Sequence, residues 1–219
     1  MNNREKIARR VAQEFGKGQI VNLGIGIPTL AANYIDPTDN IFIHSENGML
    51  GMIGLQEGDV PNPNYIDAGG HPVKVAQGGI FFDSVTSFDM IRGGHVHHTV
   101  LGAMEVDMCC NIANWMVPGK IVTGMGGAMD LVVGAKNVIV AMEHVNKSGQ
   151  PKILKKCNLP LTAVGVVNRI ITEKAVIAAH PARGLVLLEV APDSSVEEVL
   201  DLTDAPLTIP ENPGIIRWM

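Results

Sequence analysis

The chain has 219 residues, of which 46% are hydrophobic and only 18% charged, and its formal net charge is −5. Charged residues usually make up roughly 25% of a globular protein, so this composition is unusually apolar. No run approaches the roughly 18 apolar residues of a membrane span, and the basic residues form no dense stripe for nucleic acid. We therefore expect a soluble, oligomeric protein that binds neither membrane nor nucleic acid, with its extra apolar surface in contacts between subunits.

The amino terminus and the cysteines predict a cytoplasmic location. The segment "MNNREKIARRVAQEF" is charged and lacks the apolar centre of a signal peptide. The three cysteines, Cys109, Cys110 and Cys157, have no spacing typical of a disulfide framework. Such cysteines are typical of a reducing compartment.

The first fifty residues predict a parallel β-α-β unit. Apolar residues recur at helical spacing over 7–15, and Gly16 is placed to end that helix. A strand is predicted at 19–23, then a helix over 28–35 that opens on a proline, then a strand at 40–44. Because a helix joins the two strands, we expect them to pair in parallel.

The middle of the chain predicts a long loop, one capped helix and two buried strands. Residues 57–70 carry two prolines and three glycines, and loops of this length often act as lids or binding segments. Asp83 is placed to cap a helix over 84–92, which the next two glycines end. The apolar runs at 99–103 and 137–142 are typical of buried strands.

The C-terminal third predicts a β-hairpin and a short helix. The segment "AVIAAHPARGLVLLEVA" (175–191) has a turn that holds Pro181 and Gly184. Ser194 and Glu197 have the spacing of a helix capping box.

Together these elements predict one domain over residues 1–219. We expect the α/β class, with an open, mostly parallel sheet flanked by helices and a β-hairpin near the C-terminus. From about residue 205 the pattern is irregular and predicts a flexible tail.

Glycine-rich turns indicate a ligand crevice. The chain has 24 glycines, several of them in clusters such as "GIGIP" (24–28) and "GMGGAMD" (124–130). Glycine permits positive φ and lets a ligand approach main-chain N–H groups. A dinucleotide site is weakly supported, because Thr29 stands where the third glycine of that fingerprint belongs. We expect Gly24 and Gly26 to contact a substrate at the carboxyl ends of the strands.

Glu46 is the candidate for chemistry, since it lies just past the strand at 40–44. Asn47-Gly48 favours a turn with positive φ that would hold this carboxylate beyond the sheet. One interpretation is a solvated turn carboxylate; the other is a nucleophile with N–H donors nearby for an oxyanion. The segment 124–130 offers such donors, before a predicted helix that starts near Ala128.

Several motifs resemble one family. "SENG" after a strand, together with "FFDSVTSFDMIRGGH", "NIANWMVPGK", "GMGGAMDLVVGAK" and "PKILKKCNLPLT", is similar to the beta (β) subunit of the two-subunit 3-oxoacid, or short-chain acyl, CoA-transferases. The resemblance covers about residues 20–200. It implies a CoA-transferase-like α/β fold with the active site between two subunits.

The resemblance also implies roles for residues. Glu46 would be the nucleophile that carries a glutamyl-CoA thioester, and the N–H groups of Gly127 and Ala128 would form the oxyanion hole. Asn47 and Gly48 join Gly24 and Gly26 as expected substrate-binding residues. The implied partner is the alpha (α) subunit of the same enzyme, in an α2β2 assembly that acts on acyl-CoA and small carboxylic acids. No cofactor is expected, since CoA is a substrate.

Two alternative functions stay open at this stage. The chain could be a non-catalytic subunit that binds CoA or another ligand, or a sugar-phosphate isomerase on a related scaffold. His95, His97 and His98 invite a metal site, but only Cys109, Cys110 or Asp107 could complete a ligand set, so no metal is predicted. The exchanged acids are not identified.

Overall fold

An eleven-stranded sheet forms the centre of the computed structural model, which describes residues 1–119, 121–122 and 124–218. Lys120, the last residue of the "NIANWMVPGK" motif, and Met219, the last residue of the predicted tail, lie outside this part. The helices are α1 (Asn3–Ala12), α2 (Ile27–Leu30), α3 (Ser84–Arg92), α4 (Ala128–Gly134) and α5 (Val196–Asp201), with 3₁₀ turns at Ala31–Tyr34 and Pro37–Asp39.

Most of the strands are short. The strands are β1 (Ile20–Leu23), β2 (Phe42–Ser45), β3 (Met49–Ile53), β4 (Lys74–Phe81), β5 (His98–Leu101), β6 (Glu105–Asp107), β7 (Ile112–Ala113), β8 (Met116–Val117), β9 (Ile121–Val122), β10 (Asn137–Ala141), β11 (Ile153–Leu154), β12 (Arg169–Ile171), β13 (Ala175–His180), β14 (Gly184–Val190), β15 (Leu207–Thr208) and β16 (Gly214–Ile215).

The main sheet has a parallel centre and antiparallel flanks. Its order is β15-β14-β13-β12-β10-β5-β1-β2-β3-β4, with β16 also beside β14. The five central strands β12, β10, β5, β1 and β2 run parallel, while β3 with β4 and β13 with β14 extend it antiparallel. The predicted open, mostly parallel α/β sheet and the parallel pairing of the first two strands are confirmed.

Two helical layers cover this sheet. On one face α1 buries Ile7 and Val11 against Val21 of β1. On the other face α3 and α4 pack together through Ile91 and Leu131. Since side chains alternate along a strand, the residues next to Val21 in β1 point to the α3 side. Within the described residues, no helix is both long enough and apolar enough to cross a bilayer.

The order in which successive strands join the sheet reverses beside β1. The chain passes from β1 to β2 on one side and later returns to place β5 on the other side of β1. In open α/β sheets, a crevice forms at such a point, outside the carboxyl ends of the strands. The fold therefore predicts a ligand site just past Leu23, Ser45 and Leu101.

The first helix begins and ends earlier than the periodic pattern indicates. Asn2 caps α1 by accepting from the backbone N–H of Glu5, whose side chain in turn accepts from the Asn2 N–H. The helix ends at Ala12, before the expected stop at Gly16. The helix predicted over 28–35 is instead a single α-turn followed by a 3₁₀ turn.

Among the strands that were not expected are β3 and β4, whose sequences look like glycine-rich turns. β3 and β4 form an antiparallel pair next to β2. Their contact depends on close backbone approach, since a Cβ atom at Gly51 would lie 3.0 Å from Cα of Gly79. Side chains at these positions would push the strands apart.

The C-terminal hairpin is confirmed, with Gly184 at φ +73° in its turn. The cap of α5 is Ser195, whose hydroxyl accepts from the Glu198 N–H, one residue later than expected at both positions. The segment from Ala205 was expected to be irregular. It instead contributes β15 and β16, which pair with β14.

Burial of His144 predicts a pH dependence of stability. Its ring nitrogens lie 2.9 Å from the hydroxyls of Thr172 and Thr203, and desolvation, followed by the charge of Lys174, lowers its pKa to about 4. In the unfolded chain the His144 imidazole binds a proton near pH 6.5, well above its pKa in the folded protein. The contribution of neutral, buried His144 to the free energy of unfolding is therefore complete above pH 6.5 and is lost as the pH falls toward 4.

We expect the melting temperature to fall between pH 7 and pH 4.5, and His144→Gln to make this fall shallower. His95→Gln is the matched control, because His95 is exposed. An equal pH slope in wild type and His144→Gln would show that His144 does not contribute.

Candidate active site

Glu46 lies in the tight turn between β2 and β3. The turn is closed by a hydrogen bond from the Gly48 N–H to the Ser45 carbonyl at 3.0 Å. Gly48 has φ +125°, and a Cβ atom there would collide with the carbonyl oxygen of Phe82. The predicted positive-φ turn is thus confirmed, and it leaves Glu46 half-buried at the carboxyl end of β2.

A buried asparagine holds the Glu46 carboxylate. Asn22, in the middle of β1, is 1% exposed, and its Nδ2 donates to Glu46 Oε2 at 3.1 Å. The same Nδ2 lies 3.3 Å from the carbonyl oxygen of His44 and 3.4 Å from its Nδ1. One amide group therefore ties the carboxylate to the strand that precedes it.

His44 favours the orientation of the Asn22 amide that serves Glu46. Its Nε2 lies 3.0 Å from the Ser87 hydroxyl on α3, and burial lowers the pKa of the imidazole to about 4. A neutral ring that donates from Nε2 to Ser87 leaves Nδ1 as an acceptor for Asn22. Both groups of His44 near Asn22 are then acceptors, so the amide turns its NH₂ group toward them and toward Glu46.

Register places these polar groups side by side. Asn22 pairs with His44 on β2 and with Thr99 on β5. The three side chains form a buried polar row on the α3 face of the sheet. Asn22 Oδ1 and Thr99 Oγ1 have no hydrogen-bond partner among the described residues. Such groups cost about 1–3 kcal/mol each, and functional sites often carry this cost.

The glycine-rich segment before α4 reaches Glu46 from the other side. A Cβ atom at Gly127 would lie 3.3 Å from Glu46 Cγ and 3.3 Å from Phe88 Cζ. Only glycine allows this approach without displacing the carboxylate. The other predicted donor, Ala128, begins α4 and its N–H donates to the Met125 carbonyl at 3.0 Å.

A cavity of about 450 Å³ opens beside the carboxylate. Its walls come from the strand ends at Gly24, Glu46 and Gly102, from the loop at 67–69, and from the glycine-rich segment 124–128. This is the crevice that the sheet topology predicts. The volume is typical of a site for a small ligand.

The long loop is fastened to the Glu46 turn by two hydrogen bonds. Asn47 Nδ2 donates to the Ile66 carbonyl at 2.8 Å, and the Ala68 N–H donates to the Ser45 hydroxyl at 3.1 Å. Asn47 therefore anchors the loop and does not hold Glu46. Sequence reasoning assigned a lid or binding role to this loop, and part of it does line the cavity.

The predicted site residues fall into two groups. Glu46, Gly24, Gly127 and Ala128 all line the cavity. The other three are Asn47, Gly48 and Gly26, which are not among its lining residues: they shape the turn and, at Gly26, the start of α2 with φ +96°.

Of the three clustered histidines, His97 and His98 make structural contacts, and His95 is exposed. His97 Nδ1 accepts from the Ile20 N–H at 3.1 Å, and His98 Nε2 lies 3.0 Å from the side-chain oxygen of Gln19. Over the described residues, no three His, Cys, Asp or Glu side chains are grouped so that they could hold a metal ion.

Sequence reasoning missed Asn22 as a partner of Glu46. The only local signal is a polar residue inside the apolar strand "IVNL", which a buried strand would normally exclude. The segment 124–130 was expected to supply donors near Glu46, and the family resemblance singled out Gly127 within it, although 81 residues separate Gly127 from Glu46 along the chain.

Comparison with known proteins places the chain in a family. Residues 4–202 match the sequence model of the coenzyme A transferases. The acetate CoA-transferase beta subunit of Haemophilus influenzae is 52% identical over 97% of this chain and 94% of its own length. A mouse mitochondrial succinyl-CoA:3-ketoacid coenzyme A transferase, 2B, is 49% identical over 96% of this chain and 41% of its own.

The solved structures agree on the fold. An acyl-CoA transferase of Escherichia coli O157:H7, solved as a thioester complex with CoA, is 24% identical with a TM-score of 0.78. The match covers 100% of this chain and 44% of that one. The chain therefore belongs to the coenzyme A transferase family, as a member of the beta-subunit type and an enzyme that transfers coenzyme A.

Proposed function

We propose that this chain is the catalytic subunit of a two-subunit CoA-transferase, and that Glu46 carries CoA as a thioester during the reaction. One observation supports this above all: the Glu46 carboxylate is fixed between the Asn22 amide and Gly127, at the edge of the cavity. A solvated turn carboxylate would need neither contact. Fixing a nucleophile before the substrate arrives removes part of the entropic barrier.

The first half of the reaction moves CoA onto the protein. Glu46 Oε1 attacks the thioester carbonyl of an acyl-CoA, the C–S bond breaks, and CoA leaves as thiolate from a mixed anhydride. The thiolate then attacks Cδ of Glu46. The anhydride C–O bond breaks, the first acid leaves as carboxylate, and a Glu46–CoA thioester remains.

The second half reverses these steps with another acid. Its carboxylate attacks Cδ of Glu46 and displaces the thiolate, which then attacks the new acyl carbonyl and restores the free carboxylate. Every step breaks one bond and forms one bond, and no proton is gained or lost. The thioester energy is retained, so neither ATP nor a cofactor is needed, and CoA acts only as substrate.

Asn22 and Gly127 have separate tasks in this scheme. When the thiolate attacks Cδ, negative charge develops on the Glu46 oxygen that the Asn22 Nδ2 already contacts at 3.1 Å. A donor in place before the charge forms lowers the barrier without reorganisation. The Gly127 N–H is the better placed of the two predicted backbone donors, because the Ala128 N–H is engaged with Met125.

Among the residues that the structure describes, the isomerase alternative lacks its main requirement. A sugar phosphate needs basic residues at its phosphate, and the ionisable residues among those that line the cavity are Glu46 and Asp67, both acidic. The other alternative is a subunit that binds a ligand without catalysing a reaction. It predicts no covalent intermediate, so covalent labelling of Glu46 decides between it and the proposal.

We expect the assembled enzyme, given an acyl-CoA without an acceptor acid, to gain the mass of CoA less one water. The adduct should be absent in Glu46→Gln, because the amide cannot form the anhydride, and should persist in Glu57→Gln, since Glu57 is an exposed loop residue. Intact-mass spectrometry followed by peptide mapping makes this measurement. An active complex without any adduct on Glu46 would falsify the proposal.

Gly127→Ala tests the close approach to Glu46. The added methyl must move the Glu46 side chain by a few tenths of an ångström. Since small displacements of a nucleophile are costly, we expect kcat to fall by about tenfold with little change in melting temperature.

Gly102→Ala is the matched control for that variant. Gly102 also lines the cavity, but a Cβ atom there would meet no atom within 4 Å. We expect it to keep wild-type kcat. Equal rates for both alanine variants would mean that proximity to Glu46 does not matter.

We also propose a separate alpha subunit as the partner, in an α2β2 assembly, because relatives are named as beta subunits. We expect the purified single chain to show no CoA transfer, and addition of the alpha subunit to restore it. Transfer assays and native mass spectrometry test this. Full activity from the single chain would contradict it. A cytoplasmic location stays a prediction.

A further inference from the structure

The charged side chains among the described residues of the cavity beside Glu46 are all acidic. Its described lining residues are mainly glycines, apolar side chains and neutral polar groups, and the two ionisable ones are Glu46 and Asp67. Apolar walls from Met52, Leu101 and Leu131 suit a short hydrocarbon tail. The reaction already requires the charge of Glu46. The charge of Asp67 has no part in that chemistry and needs a separate explanation.

Asp67 lines the same cavity as Glu46, on a loop that is hydrogen-bonded to the Glu46 turn. The hydrogen bonds Asn47 to Ile66 and Ala68 to Ser45 join the residues on either side of Asp67 to the residues on either side of Glu46. The two short segments therefore run past each other, with their central carboxylates on the walls of one cavity.

The Asp67 carboxylate is fixed in place and largely shielded from water. Its side chain is 11% exposed, and its Oδ1 accepts from the backbone N–H groups of Gly69 and His71 at 2.8 Å each. The nearby His71 ring is 62% exposed, so it gives little charge compensation inside the cavity. An acyl tail bound here meets a fixed negative wall.

The Asp67 charge would distinguish acids by the group at the end of the acyl tail that is remote from the reacting carbonyl. A second carboxylate on the tail would lose water and stand near Asp67 and Glu46, and like charges brought together in a protein site are strongly disfavoured. Alkyl, keto and hydroxy tails carry no such penalty. A tail with a free carboxylate would also find no basic residue among the described lining residues.

We propose that the acids exchanged at this site are short-chain monocarboxylic acids with uncharged tails, and that Asp67 is the specificity-determining residue that excludes dicarboxylic acids. This inference rests on the proposed function, because it concerns the acyl group that Glu46 accepts. It identifies the substrate class from the charge of the cavity and the apolar character of its walls.

The test uses the assembled two-subunit complex, with acetyl-CoA as donor. We expect kcat/KM for butyrate and acetoacetate to exceed that for succinate and glutarate by tenfold or more, consistent with about 1.4 kcal/mol for each tenfold step. Asp67→Asn keeps an oxygen for the two backbone N–H groups. It should lower the ratio of kcat/KM for the monocarboxylic acids to kcat/KM for the dicarboxylic acids about tenfold. Glu57→Gln removes a charge from the same loop away from the cavity and should change no ratio.

A comparison in wild type needs no variant. Monomethyl succinate keeps the four-carbon chain of succinate but has one carboxylate replaced by an uncharged methyl ester, and we expect it to be the better acceptor by about tenfold. Equal use of succinate and its monomethyl ester, or an unchanged ratio in Asp67→Asn, would overturn the inference. If Glu46 gains a CoA adduct while succinate is used freely, only this inference fails; if active enzyme shows no adduct on Glu46, the proposed function itself fails.

Discussion

The register of β1 between β2 and β5 is the constraint on which the site depends. It sets Asn22 beside His44 and Thr99 on the face covered by α3, while Val21 points to the α1 face. Because side chains alternate along a strand, a slip of one residue would turn Asn22 to the other face and separate it from Glu46. The apolar core under α1 therefore also fixes the geometry of a polar site on the opposite side.

Elements with local signals could be predicted from the sequence. The helix α3 was predicted with its bounds, since Asp83 caps it by accepting from the Thr86 N–H and two glycines follow it. The turn at Glu46 was predictable for the same reason, as Asn47-Gly48 encodes it within four residues. In the hairpin of β13 and β14, burial alternates over most of β14, and a glycine lies in the turn, which are also local features.

Features that depend on contacts between residues far apart in the sequence could not be predicted from local motifs. β4 carries Gly78 and Gly79, which indicate a turn, and only pairing with β3 makes this segment a strand. The bond from Asn22 to Glu46 joins two elements through sheet register, and no short motif encodes it. Asp67 is one acidic residue in a long loop until two hydrogen bonds fasten that loop to the Glu46 turn.

The two edges of the sheet differ in how readily their strands could pair with a strand from another molecule. At one end β15 and β16 cover both halves of β14, and the prolines around them offer no N–H to another strand. At the other end β4 exposes Ile80 and Phe81, at 52% and 54%. Aggregation by strand addition is therefore expected to begin at β4 in a chain without its partner. Removal of the last fifteen or so residues would create a second such edge along β14.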